Sequence, residues 1–286
     1  MRYPKEMIVK SCPGPARAFR ALLVILAVLS VLAPATAAAK SPYDWASIRL
    51  DYVREEKVAQ LDRFCERMHG LARHAAEDPM VQAFFTMNLG VAAAAQDNPP
   101  SSAVAAEIEA LRDQFNTHYI ERYFAFYDML FISKAGGIFY TIRKEGDIFT
   151  NLGKGARADT PLGRCLSTNP EEETFIDFHS YGPSGEPAAF FVEPMVIEGE
   201  HAGWLALQLA INKVNSLFAA TEDLGETGET YLVNEDGFML TESQFEGRST
   251  ILKKHLADRN VRTKFAEEEG HRTVIDYRGA TAITSF

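Results

Sequence analysis

Three short stretches of the sequence recur about 100 positions further along the chain, in the same order. The pairs are Ile132-Ser-Lys-Ala-Gly136 with Val233-Asn-Glu-Asp-Gly237, Thr150-Asn-Leu152 with Thr250-Ile-Leu252, and Thr174-Phe-Ile-Asp-Phe178 with Thr273-Val-Ile-Asp-Tyr277, at offsets of 101, 100 and 99. Nearly constant offsets in one order indicate two tandem copies of one structural module.

The first copy is predicted to form a small antiparallel sheet. Its β-type runs are separated by turns that contain Gly and Pro. Lys134-Ala-Gly-Gly137 is a hairpin turn, because its glycines adopt positive φ without strain. A helical connection is expected near Pro161–Ser167. The predicted strands are Met129–Ser133, Ile138–Arg143, Thr174–Tyr181, Ala188–Pro194 and Gly203–Ile211.

A long helix is predicted before the first sheet. From Ser41 to about Ala76, apolar residues recur at three- and four-residue steps, with charges between them. Asp78-Pro79 ends or turns this helix, and Ser101 or Ser102 caps a second helical stretch. The predicted fold class is α+β, a long N-terminal helix followed by two tandem antiparallel-sheet modules. The second copy reaches Phe286 without its final strand, so we expect a truncated second module in a fragment of a longer protein.

Residues 1–40 have the pattern of an export signal. Basic residues up to Arg20 precede an apolar run from Ala21 to Ala33, and small residues follow where a signal peptidase would cut. The 19 residues from Ala21 to Ala39 also suffice to cross a bilayer, so an uncleaved anchor in the inner membrane is the alternative. Either way the body of the protein is expected outside the cytoplasm, membrane-anchored through residues 21–39 or soluble in the periplasm after cleavage.

The composition excludes several classes of protein. The chain has 286 residues, with 29 Lys and Arg against 39 Asp and Glu, a net charge of −10 that argues against a nucleic-acid partner. Without residues 1–39 the balance is −14. Three cysteines are too few for a disulfide scaffold. Cys65 and Cys165 form one disulfide or remain as buried thiols.

The sequence contains no common catalytic motif. There is no Gly-x-Ser-x-Gly elbow, phosphate loop or His-Glu-x-x-His pattern. His69 and His74 lie five residues apart, about 140° around a helix, which is poor geometry for joint metal ligation. Asp177 and His179 share a face of a predicted strand, which suits an acid/base pair, half a metal site or a solvated surface.

Four stretches resemble the double Cache family of extracytoplasmic sensors. They are Tyr127–Thr141, Thr150–Leu152, Gly185–Ala189 with Pro194, and above all Leu224-Gly-Glu-Thr-Gly-Glu-Thr-Tyr-Leu-Val-Asn-Glu-Asp-Gly-Phe-Met-Leu240. The resemblance covers roughly residues 44–286 and implies two stacked PAS-like sheets, followed by a transmembrane helix and a chemoreceptor, histidine kinase or cyclase output. It divides the chain into a helical region (41–126), a membrane-distal Cache module (120–221) and a membrane-proximal module (222–286).

The resemblance implies a ligand site in the membrane-distal module. Tyr181 falls at the position of a family tyrosine, whereas Gln208 stands where the branch that binds amino acids has an Asp, and the Arg-x-Trp-Tyr stretch of that branch is not found. These departures argue against an α-amino acid, and Gln208 suits a polar uncharged or carboxylate ligand. The expected ligand-binding residues are Tyr140, Asn151, Asp177, His179, Tyr181 and Gln208.

The sequence thus predicts the small-molecule-sensing region of a bacterial transmembrane signalling protein. It is expected to catalyse no reaction, to need no cofactor or metal, and to form a homodimer through its long helix. One alternative is a stand-alone periplasmic ligand-binding protein. Another is an exported hydrolase that uses Asp177 and His179.

Overall fold

The computed structural model describes residues 22–27, 41–94, 101–122, 126–219, 224–256 and 270–286. The helices are α1 (Pro42–Glu77), α2 (Pro79–Ala94), α3 (Ser102–Phe115), α4 (Pro161–Ser167) and α5 (Ile211–Ala219). A π-helical turn over Asn116–Arg122 extends α3, and a 3-10 turn spans Gly155–Arg157. The strands are β1 (Leu22–Ala27), β2 (Phe126–Ser133), β3 (Ile138–Thr141), β4 (Thr174–Tyr181), β5 (Glu186–Ile197), β6 (Glu200–Ala210), β7 (Glu229–Val233), β8 (His271–Ile275) and β9 (Thr281–Ser285).

The long helix α1 is confirmed, and local sequence explains both of its ends. A capping box starts it, since the Ser41 side chain accepts a hydrogen bond from the Asp44 amide at 3.2 Å while Asp44 accepts one from the Ser41 amide at 2.8 Å. It ends where Asp78 takes an extended conformation before Pro79. Helix α2 begins at once and was not predicted, because its nearly continuous apolar composition has no helical periodicity.

The first sheet has the predicted strands in the order β3-β2-β6-β5-β4, all antiparallel. The last predicted strand was one residue too long, because β6 ends at Ala210 and α5 begins at Ile211. The helical connection is α4, where the Thr160 hydroxyl caps the helix by accepting from the Gly163 amide at 3.1 Å. The α+β fold class is therefore confirmed.

The two faces of the first sheet are covered differently. Helices α1, α2 and α3 cover one face, where Phe84 packs against Phe131 with ring centroids 5.1 Å apart in a fully buried aromatic cluster. The other face carries Leu130, Phe190 and Trp204 and is covered by α4 and the loop before it. We call the first the helix-covered face, which carries the main core of the molecule, and the second the loop-covered face.

The second sheet has the order β7-β1-β9-β8 and repeats the pairing of the first. Strands β7, β9 and β8 take the places of β2, β5 and β4. The hairpin turns also match, since Gly136 and Gly237 have φ of 80° and 88° and each accepts a 2.8 Å hydrogen bond through its carbonyl oxygen. The donors are the amides of Leu152 and Leu256, so the structural counterpart of Leu152 is Leu256. The predicted match to Leu252 was wrong, because the second copy has extra residues in this loop.

Strand β1 occupies the place that β6 has in the first sheet. It pairs antiparallel with β7 on one side and β9 on the other, with Val24 opposite Tyr231 and Ile25 opposite Ser285. The position that the second copy does not fill from its own sequence is thus filled by the apolar run of residues 1–40. The other residues of that region, including the expected cleavage site, lie outside the described residues, and the export signal stays a prediction.

No described helix is both long and apolar enough to cross a membrane. No disulfide joins Cys65 to Cys165. Burial is the main cause that raises the pKa of the Cys65 thiol, as expected for a thiol within a helix packed on the core. The alternative of two thiols is therefore the one observed. Residues 95–100, between α2 and α3, lie outside the described residues.

Candidate functional site

A buried polar cluster lies on the loop-covered face of the first sheet, at the end where β2 begins and β6 ends. Its members are Asp128 on β2, Asp147 on the loop after β3, Tyr181 at the end of β4, Ser184 in the β4–β5 turn and Gln208 on β6. Alternation along β2 places Asp128 on the same face as Leu130 and Ile132. We call these five residues the polar cluster.

Asp128 has no exposed surface, and one of its carboxylate oxygens has no partner. Its Oδ1 accepts hydrogen bonds from the amides of Met129 at 2.7 Å and Arg143 at 3.0 Å, whereas Oδ2 accepts none. Burial is the main cause that raises the pKa of Asp128 to about 7; the nearby carboxylates of Asp147 and Glu145 also raise it, and the two amide hydrogen bonds lower it. The side chain therefore changes charge near neutral pH.

Tyr181 and Asp147 form a buried pair. The Tyr181 hydroxyl donates to Asp147 Oδ2 at 2.5 Å, and Asp147 Oδ1 is buried without a hydrogen-bond partner. Burial and then the Asp147 charge raise the pKa of Tyr181, while Arg157 lowers it. The tyrosine thus stays a neutral donor whose direction is fixed by the carboxylate. Arg157, at the edge of the cluster, is the cation that lowers this pKa.

Gln208 completes the cluster from the neighbouring strand. Its Cα is the ladder partner of Asp128, its side chain is 2% exposed, and its Nε2 donates to the Ser184 hydroxyl at 3.3 Å. Gln208 Oε1 is buried and accepts no hydrogen bond. The cluster therefore contains three buried acceptor atoms without a partner, on Asp128, Asp147 and Gln208. Buried acceptors of this kind are costly unless a donor reaches them.

The loop that covers the cluster is held close by a glycine. A Cβ at Gly163 would lie 2.2 Å from the Arg157 carbonyl oxygen and 2.7 Å from that of Leu152, so only glycine lets α4 pack against this loop. Arg157 also donates to the Gly146 carbonyl at 3.0 Å. These contacts position Asp147 above the sheet.

Three of the six expected ligand residues lie outside the polar cluster, and Tyr140 and Asn151 are two of these. Tyr140 is on the helix-covered face, where its ring packs on Phe84 and its hydroxyl donates to Glu109 at 3.3 Å. Asn151 secures the β2–β3 turn, since its amide donates to the Ala135 carbonyl at 3.2 Å and its oxygen accepts from the Gly153 amide at 2.8 Å. Both residues have a structural explanation in the folding of the first module.

Asp177 and His179 do not form an acid/base pair. The irregular register after Ile176 turns His179 toward the rings of Tyr181 and Phe190, at centroid distances of 6.2 and 5.9 Å. His179 Nδ1 lies 3.0 Å from the main-chain oxygen of Asp177, whose exposed side chain accepts from the Phe178 amide instead. Burial lowers the pKa of His179, which favours the neutral ring. His179 therefore borders the polar cluster, and Asp177 lies outside it.

The structure thus brings together Tyr181 and Gln208, with His179 beside them, and adds Asp128 and Asp147. The sequence could have revealed Asp128 as a candidate site residue, because a carboxylate at an inward position of a strand with the pattern Asp-x-Leu-x-Ile is unusual. No sequence signal pointed to Asp147, since its position depends on how its loop folds over the sheet.

The second module offers an internal comparison. Its buried carboxylate, Glu229, accepts from the Gln244 amide at 2.9 Å through one oxygen and from the Tyr277 hydroxyl through the other. The Ser243 hydroxyl also contacts the Tyr277 hydroxyl at 2.6 Å. Every oxygen of Glu229 is satisfied within the protein, so the unpartnered acceptors distinguish the first module from the second.

A cavity of about 480 Å³ lies beside the β4–β5 turn. Tyr181 and Gly185 line it on the side of the first module, and Glu242 and Lys253 on the side of the second. Tyr181 belongs both to this cavity and to the polar cluster, so the two are adjacent. Outside this site, the described residues that can hold a metal ion are His69, Glu173 and Glu193.

The structure is similar to several solved sensor domains. The periplasmic sensory domain of the Campylobacter jejuni chemoreceptor Tlp1 is 11% identical over 85% of this chain and 94% of that one, with a TM-score of 0.49. The ligand-binding domain of the Pseudomonas aeruginosa amino acid chemoreceptor PctB, in complex with L-Gln, is 16% identical over 76% and 81%, with a TM-score of 0.42. The Vibrio cholerae histidine kinase DctB sensor domain is 16% identical, with a TM-score of 0.40.

The match to DctB covers 60% of this chain and 62% of that domain, and the chain spans 39% of an extracellular ligand binding receptor from Desulfohalobium retbaense. These solved structures are sensor or ligand-binding domains. No protein-family model matches the sequence, and no curated protein is significantly similar to it.

Proposed function

We infer that the chain is the small-molecule-sensing region of an extracytoplasmic signalling protein, and that the polar cluster binds a ligand through its amine group. The observation that carries this inference is the set of buried atoms without partners on Asp128, Asp147 and Gln208. All three are acceptors, and an ammonium group supplies three donors and a compensating positive charge.

The charge of the site argues against a carboxylate, one of the two ligand classes that the sequence suggested. Asp128 and Asp147 have no exposed surface, and Glu145 lies close enough to raise the pKa of Asp128. A second anion without a cation would add repulsion in a region of low dielectric constant. Arg157 is close enough to Tyr181 to lower its pKa, so a ligand that carries a carboxylate beside its amine has one cation available.

Ligand binding is expected to affect the covering loop directly and the helices indirectly, through the sheet. A ligand that joins Asp147 on the loop to Asp128 and Gln208 on the sheet stabilises the closed arrangement of the loop, and so shifts the population of conformers. The sheet carries α1 on its other face, and α1 is the element that can convey the change. No bond is made or broken in this process.

Helix α1 also has the surface of a dimer interface. Near its N-terminus, Trp45, Ile48 and Tyr52 are 61%, 44% and 64% exposed and recur at helical spacing on one side. Large apolar side chains in such a stripe are typical of helix–helix contacts. We therefore propose a homodimer through this part of α1.

The binding test is a thermal-shift and calorimetric screen of the full chain with matched ligand pairs. Small primary amines and amino acids are compared with the corresponding carboxylates that lack the amine. A ligand that binds only the folded protein raises the melting temperature, by about 2.7 kcal/mol of stabilisation at a hundredfold excess over its Kd. We expect stabilisation by a subset of amines and none by the carboxylates.

Two tyrosines provide a matched pair of variants. Tyr181→Phe combined with Gln208→Ala is expected to abolish amine binding, because both side chains belong to the polar cluster. Tyr140→Phe removes a similarly buried hydroxyl, also bonded to a carboxylate, from the other face of the sheet. The Tyr140→Phe variant should bind the ligand as tightly as the wild type does. An affinity that is unchanged in the Tyr181/Gln208 variant, or lost equally in Tyr140→Phe, would contradict the proposed site.

A further inference from the structure

A buried carboxylate lies in the apolar interface between α1 and the first sheet. Glu193 is on β5, two residues from Phe191 and from Met195, and both of these pack in the core beneath the helices. Glu193 is 5% exposed, and its Oε1 is buried without a hydrogen-bond partner. An ionised group in such a place is unfavourable unless a proton or a cation neutralises it.

Two further ligand-type side chains meet Glu193 at this point. His69 projects from α1, and Glu173 comes from the segment just before β4; their side chains are 17% and 12% exposed. His69 Nδ1 contacts Glu173 Oε2, and one ligand atom from each of the three residues lies within 4.8 Å of the other two. His69 Nδ1 and Glu173 Oε2, which form this contact, are buried, as Glu193 Oε1 is.

The positive charge available to this cluster is small. Arg73 Nη2 lies 4.0 Å from Glu173 Oε2 and 3.0 Å from His69 Nε2, but the Arg73 side chain is 55% exposed. Among the residues that the structure describes, Glu193 takes part in no ion pair. Burial and then the Glu173 carboxylate raise the pKa of Glu193 to about 9. The cluster therefore holds two adjacent carboxylates with one peripheral cation.

We propose that His69, Glu173 and Glu193 bind a divalent transition-metal ion of the Zn²⁺ type. One imidazole and two carboxylates are common Zn²⁺ ligands, and a water molecule completes a four-coordinate site. The imidazole disfavours Ca²⁺ and Mg²⁺, which prefer oxygen ligands throughout. A doubly charged ion balances both carboxylates and supplies the missing partner of Glu193 Oε1.

The geometry needs only local adjustment. Zn²⁺ binds nitrogen and oxygen at about 2.1 Å, which places tetrahedral ligand atoms about 3.4 Å apart. The three ligand atoms already lie within 4.8 Å of one another on three side chains that rotate about their own bonds. When His69 binds the ion through Nδ1, its Nε2 carries a proton, so the exposed Arg73 side chain turns away from that nitrogen.

A metal ion at this position is expected to stabilise the packing of α1 on the first sheet. The ligands come from α1, from the segment before β4 and from β5, so the ion joins the long helix to the sheet. It lies on the helix-covered face, whereas the polar cluster lies on the opposite face. The metal site therefore stands independently of the proposed amine site, and either one can be present without the other.

The sequence did not reveal this site because its ligands are more than 100 positions apart along the chain, except for Glu173 and Glu193. Helical geometry argues against joint metal ligation by His69 and His74. The structure agrees, because His74 is exposed and outside the cluster. His69 finds its partners on the sheet instead.

The test is zinc titration of the untagged full chain, freed of metal with a chelator. Isothermal calorimetry should give one Zn²⁺ per chain, and Co²⁺ in its place should give the visible absorption of a four-coordinate site. His69→Ala and Glu193→Gln should each weaken Zn²⁺ binding at least tenfold. His74→Ala, one turn further along the same helix, is the control and should bind like the wild type.

The unfolding of each variant without metal is measured in parallel, so that a folding defect is distinguished from ligand loss. Glu193→Gln is the decisive variant, because it keeps the shape of the side chain and removes the charge. The proposal is overturned if the wild type binds no Zn²⁺, or if folded His69→Ala and Glu193→Gln bind it as tightly as His74→Ala does.

Discussion

Asp128→Asn is the substitution that tests the polar cluster most directly. The amide has the shape of the carboxylate, and its oxygen can keep the hydrogen bonds from the Met129 and Arg143 amides. In the native protein, burial raises the pKa of Asp128 from 3.8 to about 7. Between these two pH values the folded state holds a proton that the unfolded state has lost. Wild-type stability therefore falls as the pH rises from about 4 through about 7.

The size of the effect follows from the shift. A pKa difference of about three units corresponds to about 4 kcal/mol, at about 1.4 kcal/mol per unit. The asparagine has no proton to lose. Between pH 4 and pH 8, the free energy of unfolding of the variant should therefore rise relative to that of the wild type by up to about 4 kcal/mol. This change is expected whatever the difference between the two proteins is at pH 4.

Urea unfolding of the full chain, followed by tryptophan fluorescence, measures this difference. Trp204 is 2% exposed on the same face of the sheet as Asp128, so its emission reports the unfolding of this module. Asp159→Asn, at an exposed position of the covering loop, is the control and should keep the wild-type pH profile. Parallel pH profiles for the wild type and Asp128→Asn would refute the reasoning.

The same titration predicts a pH dependence of ligand binding. An amine needs the ionised carboxylate, so the wild-type affinity should rise about tenfold per pH unit up to about pH 7 and then level off. Asp128→Asn should bind the amine weakly, with no such rise. A wild-type affinity that falls as the pH increases would contradict an amine ligand.

Two further predictions concern β1 and the dimer. Removing residues 1–40 leaves β7 and β9 without their shared neighbour, at a cost of about 1 kcal/mol for each backbone hydrogen bond lost. Amide hydrogen exchange should therefore become faster in 229–233 and 281–285 and stay unchanged in β2 and β5. Equal protection with and without residues 1–40 would show that β1 does not complete the sheet in solution. Tyr52→Glu should halve the mass measured by sedimentation, because it places a charge in the proposed dimer interface. His74→Glu, at an exposed position outside that interface, should leave the mass unchanged. A wild type that sediments as a monomer of 31.8 kDa would rule the dimer out.

The site shows why the sequence could predict a fold better than a ligand. Tyr181 and Gln208 were found because a family resemblance marks their positions, and they do meet in the polar cluster. Tyr140 and Asn151 carry the same kinds of polar atoms, but the pairing of the strands places one under the helices and the other at a turn. The sequence predicted a polar uncharged or carboxylate ligand, whereas the amine ligand that we propose depends on Asp147, which joins the site only through the folding of its loop.

What the sequence determined by itself is what short-range physics controls. Helical periodicity and a capping box fixed α1, alternation and turn residues fixed the strands of the first sheet, and the repeat fixed the likeness of the two modules. Tertiary structure decided the rest. Only the folded chain brings Asp128 beside Gln208, His69 beside Glu193 and β1 between β7 and β9. These contacts join residues 80 to more than 200 positions apart, and their partners are selected by burial and strand register, which no local pattern encodes.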